Sequence, residues 1–297
     1  MKKLLAFITT MLISVSALAW PTKSITLIVP YPPGGLIDRF ARAMQKDFQS
    51  KVTVPVEVQY MPGAAIAVAT THVLNRPNDN HTFIVAEAGF VVGPALLGTN
   101  TYREFMPVAL IGESPYVMFV SGTGSDSKIR QQIRNQDIIN VGVANQGEIW
   151  LNDLKWPTKL NLIPYKGLAP MVNDVLPGHT EYGVLAYTGI GPSFNNGQVR
   201  PVLVFGDRRL PQMPTVPTAN ELGFSGSYTH NWYAVWARQD TDRAAVTEMS
   251  KLVQDSTNTS FKDLLGLTVL NYGPQRAAQY ANREAQIFER IAEKNKK

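Results

Sequence analysis

Ile28-Val29-Pro30-Tyr31-Pro32-Pro33-Gly34-Gly35-Leu36-Ile37-Asp38 is the stretch of this 297-residue chain on which the fold turns. Ile25, Leu27 and Val29 alternate as one face of a strand, which runs into a Pro-Pro-Gly-Gly turn. Behind the turn Phe40, Met44 and Phe48 recur at i, i+4 and i+8, so a helix with one buried face begins there, and Asp38 stands where it can cap it. Two glycines without Cβ atoms let a ligand approach the backbone. The helix N-terminus behind them offers unpaired N–H groups and a partial positive charge. The turn is therefore an anion site that needs no charged side chain.

Outward from this unit, short apolar runs alternate with helical patterns, the signature of α/β architecture. Strands are expected at Ile25–Val29, Val52–Val58, Thr82–Ala86, Tyr116–Val120 and Ile139–Val143. Further strands are expected at Leu160–Pro164, Tyr182–Leu185, Val202–Phe205 and Trp232–Ala237. Ala245, Met249, Leu252 and Val253 mark one amphipathic helix, and Ala281, Ala285, Phe288 and Ala292 mark the last. Thr101-x-x-Glu104 and Thr218-x-x-Glu221 fit capping boxes. The Gly/Ser/Asp-rich residues 121–127 read as an outgoing connection between two lobes and 223–230 as the return. That division gives a discontinuous first lobe, 20–120 with 231–297, and a second lobe, 121–230. Such a clam-shell holds its ligand in the cleft between hinged lobes.

Lys2 and Lys3 precede the apolar run Leu4–Ala17, which ends in Ala17-Leu18-Ala19 before Trp20. This is the pattern of a secretory signal peptide at residues 1–19 with cleavage after Ala19, which places the mature protein in the periplasm. No second run of membrane-spanning length follows. The chain has no cysteine, which excludes disulfides, thiol chemistry and a lipid-bearing cysteine. Loss of residues 1–19 removes two lysines and leaves 26 basic against 23 acidic residues, spread along the chain. Nothing in that balance suggests nucleic acid.

Chemical motifs are sparse. His72, His81, His179 and His230 are scattered, with no metal-ligand spacing, so no metal site is expected. Ser125-Asp126-Ser127-Lys128 matches the S-x-x-K of serine/lysine hydrolases, but neither S-D-N nor K-T-G follows it. Neither an enzyme nor a bound cofactor is expected. What remains is a set of strand ends that could line one cleft, since open α/β sheets bind ligands at the carboxyl ends of their strands. They are Tyr31-Pro32-Pro33-Gly34-Gly35, Ala86-Glu87-Ala88-Gly89, Ala144-Asn145-Gln146-Gly147-Glu148 and Pro164-Tyr165-Lys166-Gly167.

Taken in order, several segments resemble the Bug-type periplasmic substrate-binding proteins of the tripartite tricarboxylate transporters. They begin with Trp20-Pro21-x-Lys23-x-Ile25 and Ile28 to Asp38, followed by Met61-Pro62-Gly63-Ala64, Asn75-Arg76-Pro77-Asn78-Asp79 and Pro94-Ala95-Leu96. Pro164-Tyr165-Lys166-Gly167-x-Ala169-Pro170 and Arg208-Arg209-x-Pro211-x-Met213-Pro214-Thr215-Val216-Pro217-Thr218-x-x-Glu221 complete the series. The resemblance implies a type II periplasmic binding fold closing on a small carboxylate. Tyr31 to Leu36 and Tyr165 to Gly167 would hold that carboxylate, partly through ordered water. It implies delivery to membrane permease subunits, a task that suits a monomeric shuttle; the rival reading is presentation of the closed form to a membrane sensor kinase. On this reading the ligand-binding residues are Tyr31, Pro33, Gly34, Gly35, Leu36, Asp38, Ala86, Glu87, Ala88, Asn145, Gln146, Gly147, Glu148, Tyr165, Lys166, Gly167 and Tyr187.

The departures from the family pattern fall on the binding loops. Leu36 and Ile37 stand where relatives carry a small hydroxyl residue, and Ala64-Ala65 stands in place of Gly-Gly. Glu87 and Glu148 stand where relatives have Ser, Thr or Gly, and Tyr187 lies near the position of an ammonium-binding Asp. A cleft carboxylate at about 4 Å from a ligand carboxylate costs roughly 4 kcal/mol at an effective dielectric of about 20. Either these glutamates point away, or the ligand carries a cationic or hydrogen-bond-donating group; the expected ligand is a monocarboxylate with an apolar, aromatic or amine-bearing body.

Overall fold

The first strand, β1 (Ile25–Val29), and the helix α1 (Leu36–Gln49) have the positions that the apolar spacing dictates. The computed structural model of the chain describes residues 20–97, 99, 101–124, 127–143, 146–165, 168–226 and 230–295. After α1 come β2 (Val56–Tyr60), α2 (Ala67–Leu74), β3 (Thr82–Glu87), α3 (Gly89–Leu97) and β4 (Phe105–Ser121). The middle of the chain forms α4 (Ser127–Asn135), β5 (Ile139–Val143), β6 (Leu160–Pro164) and α5 (Leu168–Val175). There follow β7 (Tyr182–Ala186), α6 (Tyr187–Asn195) and β8 (Val199–Phe205). The chain closes with β9 (His230–Arg238), α7 (Arg243–Ser256), β10 (Thr268–Tyr272) and α8 (Pro274–Asn295).

Among the described residues ten strands join one sheet, in the order β2-β1-β3-β9-β4-β7-β5-β6, with β8 and β10 also paired to β4. The pairs β1–β2, β1–β3, β5–β6 and β5–β7 are parallel, while β9 runs antiparallel to β3 and β4. β4 carries the sheet from one half to the other. Its residues Phe105 to Pro115 pair with β9, and Tyr116 to Ser121 pair with β7 and β8. The pairing changes hands inside the strand at Pro115–Tyr116.

One large core runs through both halves, joining Ile84, Phe90 and Trp236 to Val141, Tyr182 and Val184, and each half adds a cluster of its own. Phe40, Met44 and Phe48 of α1 bury against β1 and β3, with Met249 and Val253 of α7 in the same cluster. Val117, Phe119, Met171 and Ile190 pack in the other half.

The three largest departures from the expected strands have local reasons. β2 starts at Val56 because the amide of Val52 closes the α1 end on Phe48 and Pro55 has no N–H to give a ladder. β4 extends back to Phe105 through Pro107, Gly112 and Pro115 because bulges between Pro107 and Ala109 and between Leu110 and Gly112 absorb the missing donor and the kink. β10, an addition to β4 with half-buried residues, has no apolar alternation to betray it.

Candidate functional site

The Tyr31–Gly35 turn opens a cleft of about 470 Å3. From the first half it is lined by Tyr31, Pro32, Pro33, Gly34, Gly35, Leu36, Ile37 and Arg39, by Glu87 at the end of β3, and by Asn231 and Tyr233 of β9. The second half contributes Leu168, Ala169 and Pro170 at the start of α5, with Leu185, Ala186 and Gly189 at the β7–α6 junction. Three helices, α1, α5 and α6, thus present their first turns to one space. First-turn amides have no intrahelical acceptor and sit at the positive end of the helix dipole. The walls between them are mainly proline and leucine, so the cleft joins an apolar body to anion-binding backbone.

Asp38 supports this loop from behind. It lies inside the first turn of α1 rather than at the N-cap, which is Gly35 and carries no side-chain cap. Asp38 Oδ2 accepts the Gly34 amide at 2.6 Å, Oδ1 accepts the Tyr60 hydroxyl at 2.7 Å, and Arg42 pairs with Oδ1 at 2.7 Å. The expectation of a helix cap is corrected accordingly. The carboxylate reaches backward and fixes the glycine turn, and the Gly34 amide is spent on it. Burial pushes the Asp38 carboxyl upward, but the hydrogen bonds from Tyr60 and Gly34 and the Arg42 charge outweigh it and hold it below the usual range.

Glu87 is anchored just as firmly, with one oxygen left over. Asn231 Nδ2 donates to Glu87 Oε2 at 2.6 Å and also reaches the Tyr233 hydroxyl at 3.2 Å. Tyr233 shares a 2.5 Å hydrogen bond with Thr188, whose amide donates to Ser114 Oγ at 3.0 Å. This chain runs from the cleft to the point where β4 changes partners. The Tyr31 hydroxyl is enclosed beside Glu87, close enough to interact with its charge but outside full hydrogen-bonding geometry. Desolvation raises the Glu87 carboxyl above its ordinary value, opposed by the Asn231 hydrogen bond and the adjacent Tyr31 hydroxyl.

Of the residues expected from sequence, Tyr31, Pro33, Gly34, Gly35, Leu36 and Glu87 come together in the cleft. Ala86 and Ala88 lie beneath it in the core, and Tyr187 is buried against Ile190 and Leu265. Tyr165 is half-buried and turns its hydroxyl to Asp174, at 2.7 Å, and to Thr180. Asn145, Lys166 and Gly167 lie outside the described residues, as do the side chains of Gln146, Gly147 and Glu148 in a 3-10 segment. Asn231, Tyr233, Arg39 and the α5 and α6 openings were not foreseen. Only Asn231, a polar residue leading the apolar run Trp232–Ala237, carried any signal.

Among the described residues no cluster of three or more His, Cys, Asp or Glu could hold a metal, and no helix is long and apolar enough to cross a membrane. The Thr218–Glu221 capping box forms in both directions, Glu221 accepting the Thr218 amide at 2.7 Å and Thr218 Oγ1 the Glu221 amide at 3.3 Å.

Residues 40–296 match the tripartite tricarboxylate transporter family receptor, TctC. The chain belongs to this receptor family. BugT of Bordetella pertussis is 28% identical over 256 residues, which cover 82% of this chain and 78% of BugT. Rpa4515 of Rhodopseudomonas palustris, solved with adipate, superposes with a TM-score of 0.78 at 24% identity, covering 92% of this chain and 97% of its own. MatC of the same organism, solved with malate, gives 0.74 at 24% identity over 92% and 100% of the two chains. The TctC-type receptor fold is thus the α/β binding-protein architecture expected from the Ile28–Asp38 unit. A receptor of this family captures rather than converts its solute, which accords with a cleft built from amides and apolar walls.

Proposed function

We propose that this TctC-family receptor captures a small carboxylate in the Tyr31–Leu36 cleft and delivers it to the permease subunits of a tripartite tricarboxylate-type transporter. The observation that supports this most is the convergence of the α1, α5 and α6 first turns on one cleft with proline and leucine walls. Amides bind the carboxylate and the walls take its body. MatC and Rpa4515 were solved with dicarboxylates. In this cleft a second carboxylate would meet Glu87, at a cost of roughly 4 kcal/mol when about 4 Å away. A monocarboxylate with an apolar, aromatic or amine-bearing body fits better.

The working unit on this reading is the periplasmic chain from Trp20, cut after Ala19 and acting as a monomer. Trp20 itself is held in the fold, its indole N–H donating to Asn80 O at 2.8 Å and its ring edge-on to Phe83. Residues 20–120 with 231–297 form one lobe and 121–230 the other, closing about the long strand β4.

A thermal-shift screen of residues 20–297 against mono-, di- and tricarboxylates tests the reading. Ligand at a hundredfold excess over Kd stabilises by about 2.7 kcal/mol, which appears as several degrees in Tm. Monocarboxylates should give the largest shifts, and a preference for citrate over all of them would overturn the assignment. Cross-linking in membranes with bound solute should recover permease subunits. Recovery of a sensor kinase instead would reassign the closed form to signalling.

A further inference from the structure

Among the residues lining the cleft, Glu87 is the acid and Arg39 the base. Glu87 is surrounded by donors. The Asn231 amide is bonded to Oε2, the Tyr31 hydroxyl lies alongside, and α3 begins two residues on, at Gly89. A side chain at Gly89 would meet the Tyr31 hydroxyl at 3.4 Å and Glu87 Oε1 at 4.0 Å, so these groups crowd one corner. Such an arrangement holds a carboxylate, which only accepts hydrogen bonds, rather than a neutral acid that must also donate. Its position is also fixed, because Asn231 is tied through Tyr233 to Thr188 in the opposite half. Yet among the described residues no cationic side chain contributes to its environment, whose opposing influences are the Asn231 hydrogen bond and the adjacent Tyr31 hydroxyl. A desolvated carboxylate without a counter-charge is costly, and a ligand can supply that charge.

We propose that Glu87 is the specificity determinant of this cleft, receiving a protonated amine at the far end of the captured acid. The solute class is then a small aminocarboxylate, with its carboxylate at the helix first turns and its ammonium at Glu87 Oε1. This rests on the carboxylate-capture reading above and narrows it. It also separates this chain from a receptor for di- or tricarboxylates, in which the same corner would have to be neutral or donating.

Calorimetric titration of residues 20–297 with matched acids tests the assignment. The probes are butyrate, succinate and 4-aminobutyrate; pentanoate, glutarate and 5-aminopentanoate; and hexanoate, adipate and 6-aminohexanoate. At the best-fitting length the amino acid should bind about tenfold or more tighter than its monoacid and its diacid, since one desolvated charge pair readily exceeds the 1.4 kcal/mol of a tenfold change. Glu87→Gln should abolish that preference while retaining the monoacid, and Glu87→Asp should keep part of it. A diacid or plain acid binding as tightly as the amino acid at every length overturns the assignment, as does a preference that survives Glu87→Gln. If neither variant folds, the wild-type ranking alone decides. If no acid in the set binds, the carboxylate reading fails first and this assignment with it, a result distinct from diacid binding that fails this assignment alone.

Discussion

Asp38, behind the cleft loop, and Glu87, in the cleft, are two carboxylates put to opposite uses by their neighbours. Asp38 gains three partners on burial, so its folded form titrates below the usual range. The stability it contributes is present at pH values above the ordinary carboxylate range and is lost as pH falls through it. Asp38→Ala should cost about 1–3 kcal/mol in urea melts at neutral pH, and much less at pH 3. Glu87 is raised instead, because burial exceeds the help it receives. Its ionisation therefore costs stability, which is lost as pH rises through the raised value. Without ligand, Glu87→Gln should melt higher than wild type at pH 8 and lose that advantage at pH 5, as read by scanning calorimetry. The sequence exposed both acids at the ends of apolar segments. Which of them faces the ligand depended on Tyr60 and Asn231, residues remote in the chain.

At the scale of elements, α1 and β4 mark the two extremes of legibility. The stripe Phe40, Met44 and Phe48 specifies a helix and its buried face within a single segment, and all three are fully enclosed. Phe48→Ala should cost about 3–5 kcal/mol, measured by denaturant unfolding. β4 could not be read beyond its last residues, because Pro107, Gly112 and Pro115 interrupt the pattern and bulges repair it only when β9 is in place. Gly112 marks a close approach of β10 to β4: a Cβ there would lie 2.4 Å from the Thr268 carbonyl oxygen. Gly112→Ala should therefore loosen β10 from β4 and lower Tm. Hydrogen exchange should show the amides of 268–272 losing protection before those of β9.

Over the whole molecule, β4 is the continuous element between the two halves, and the Glu87–Asn231–Tyr233–Thr188–Ser114 chain runs alongside its change of partner. Solute in the cleft would touch both halves at once, so binding should favour the closed arrangement. Small-angle scattering should show a smaller radius of gyration with bound acid than without it, and Thr188→Val, which removes the Tyr233 link, should weaken that response. An unchanged radius would argue for a cleft that fills without closing.

The sequence by itself determined what local spacing encodes. The strand–turn–helix unit at Ile28–Asp38, the α/β alternation and the receptor family all follow from residues close together in the chain. Strand propensity, helix periodicity and glycine at a turn each act over a few residues and so leave a local trace. Tertiary structure alone decided that Asp38 braces the loop and that Glu87 faces the cleft. It also brought Asn231 and Tyr233 to Glu87 and buried Tyr187 away from the ligand space. Those outcomes depend on contacts beyond one element, from Asp38 with Tyr60 across 22 positions to Glu87 with Asn231 across 144. The desolvation and hydrogen bonding that set a carboxyl's role arise only when such distant residues meet.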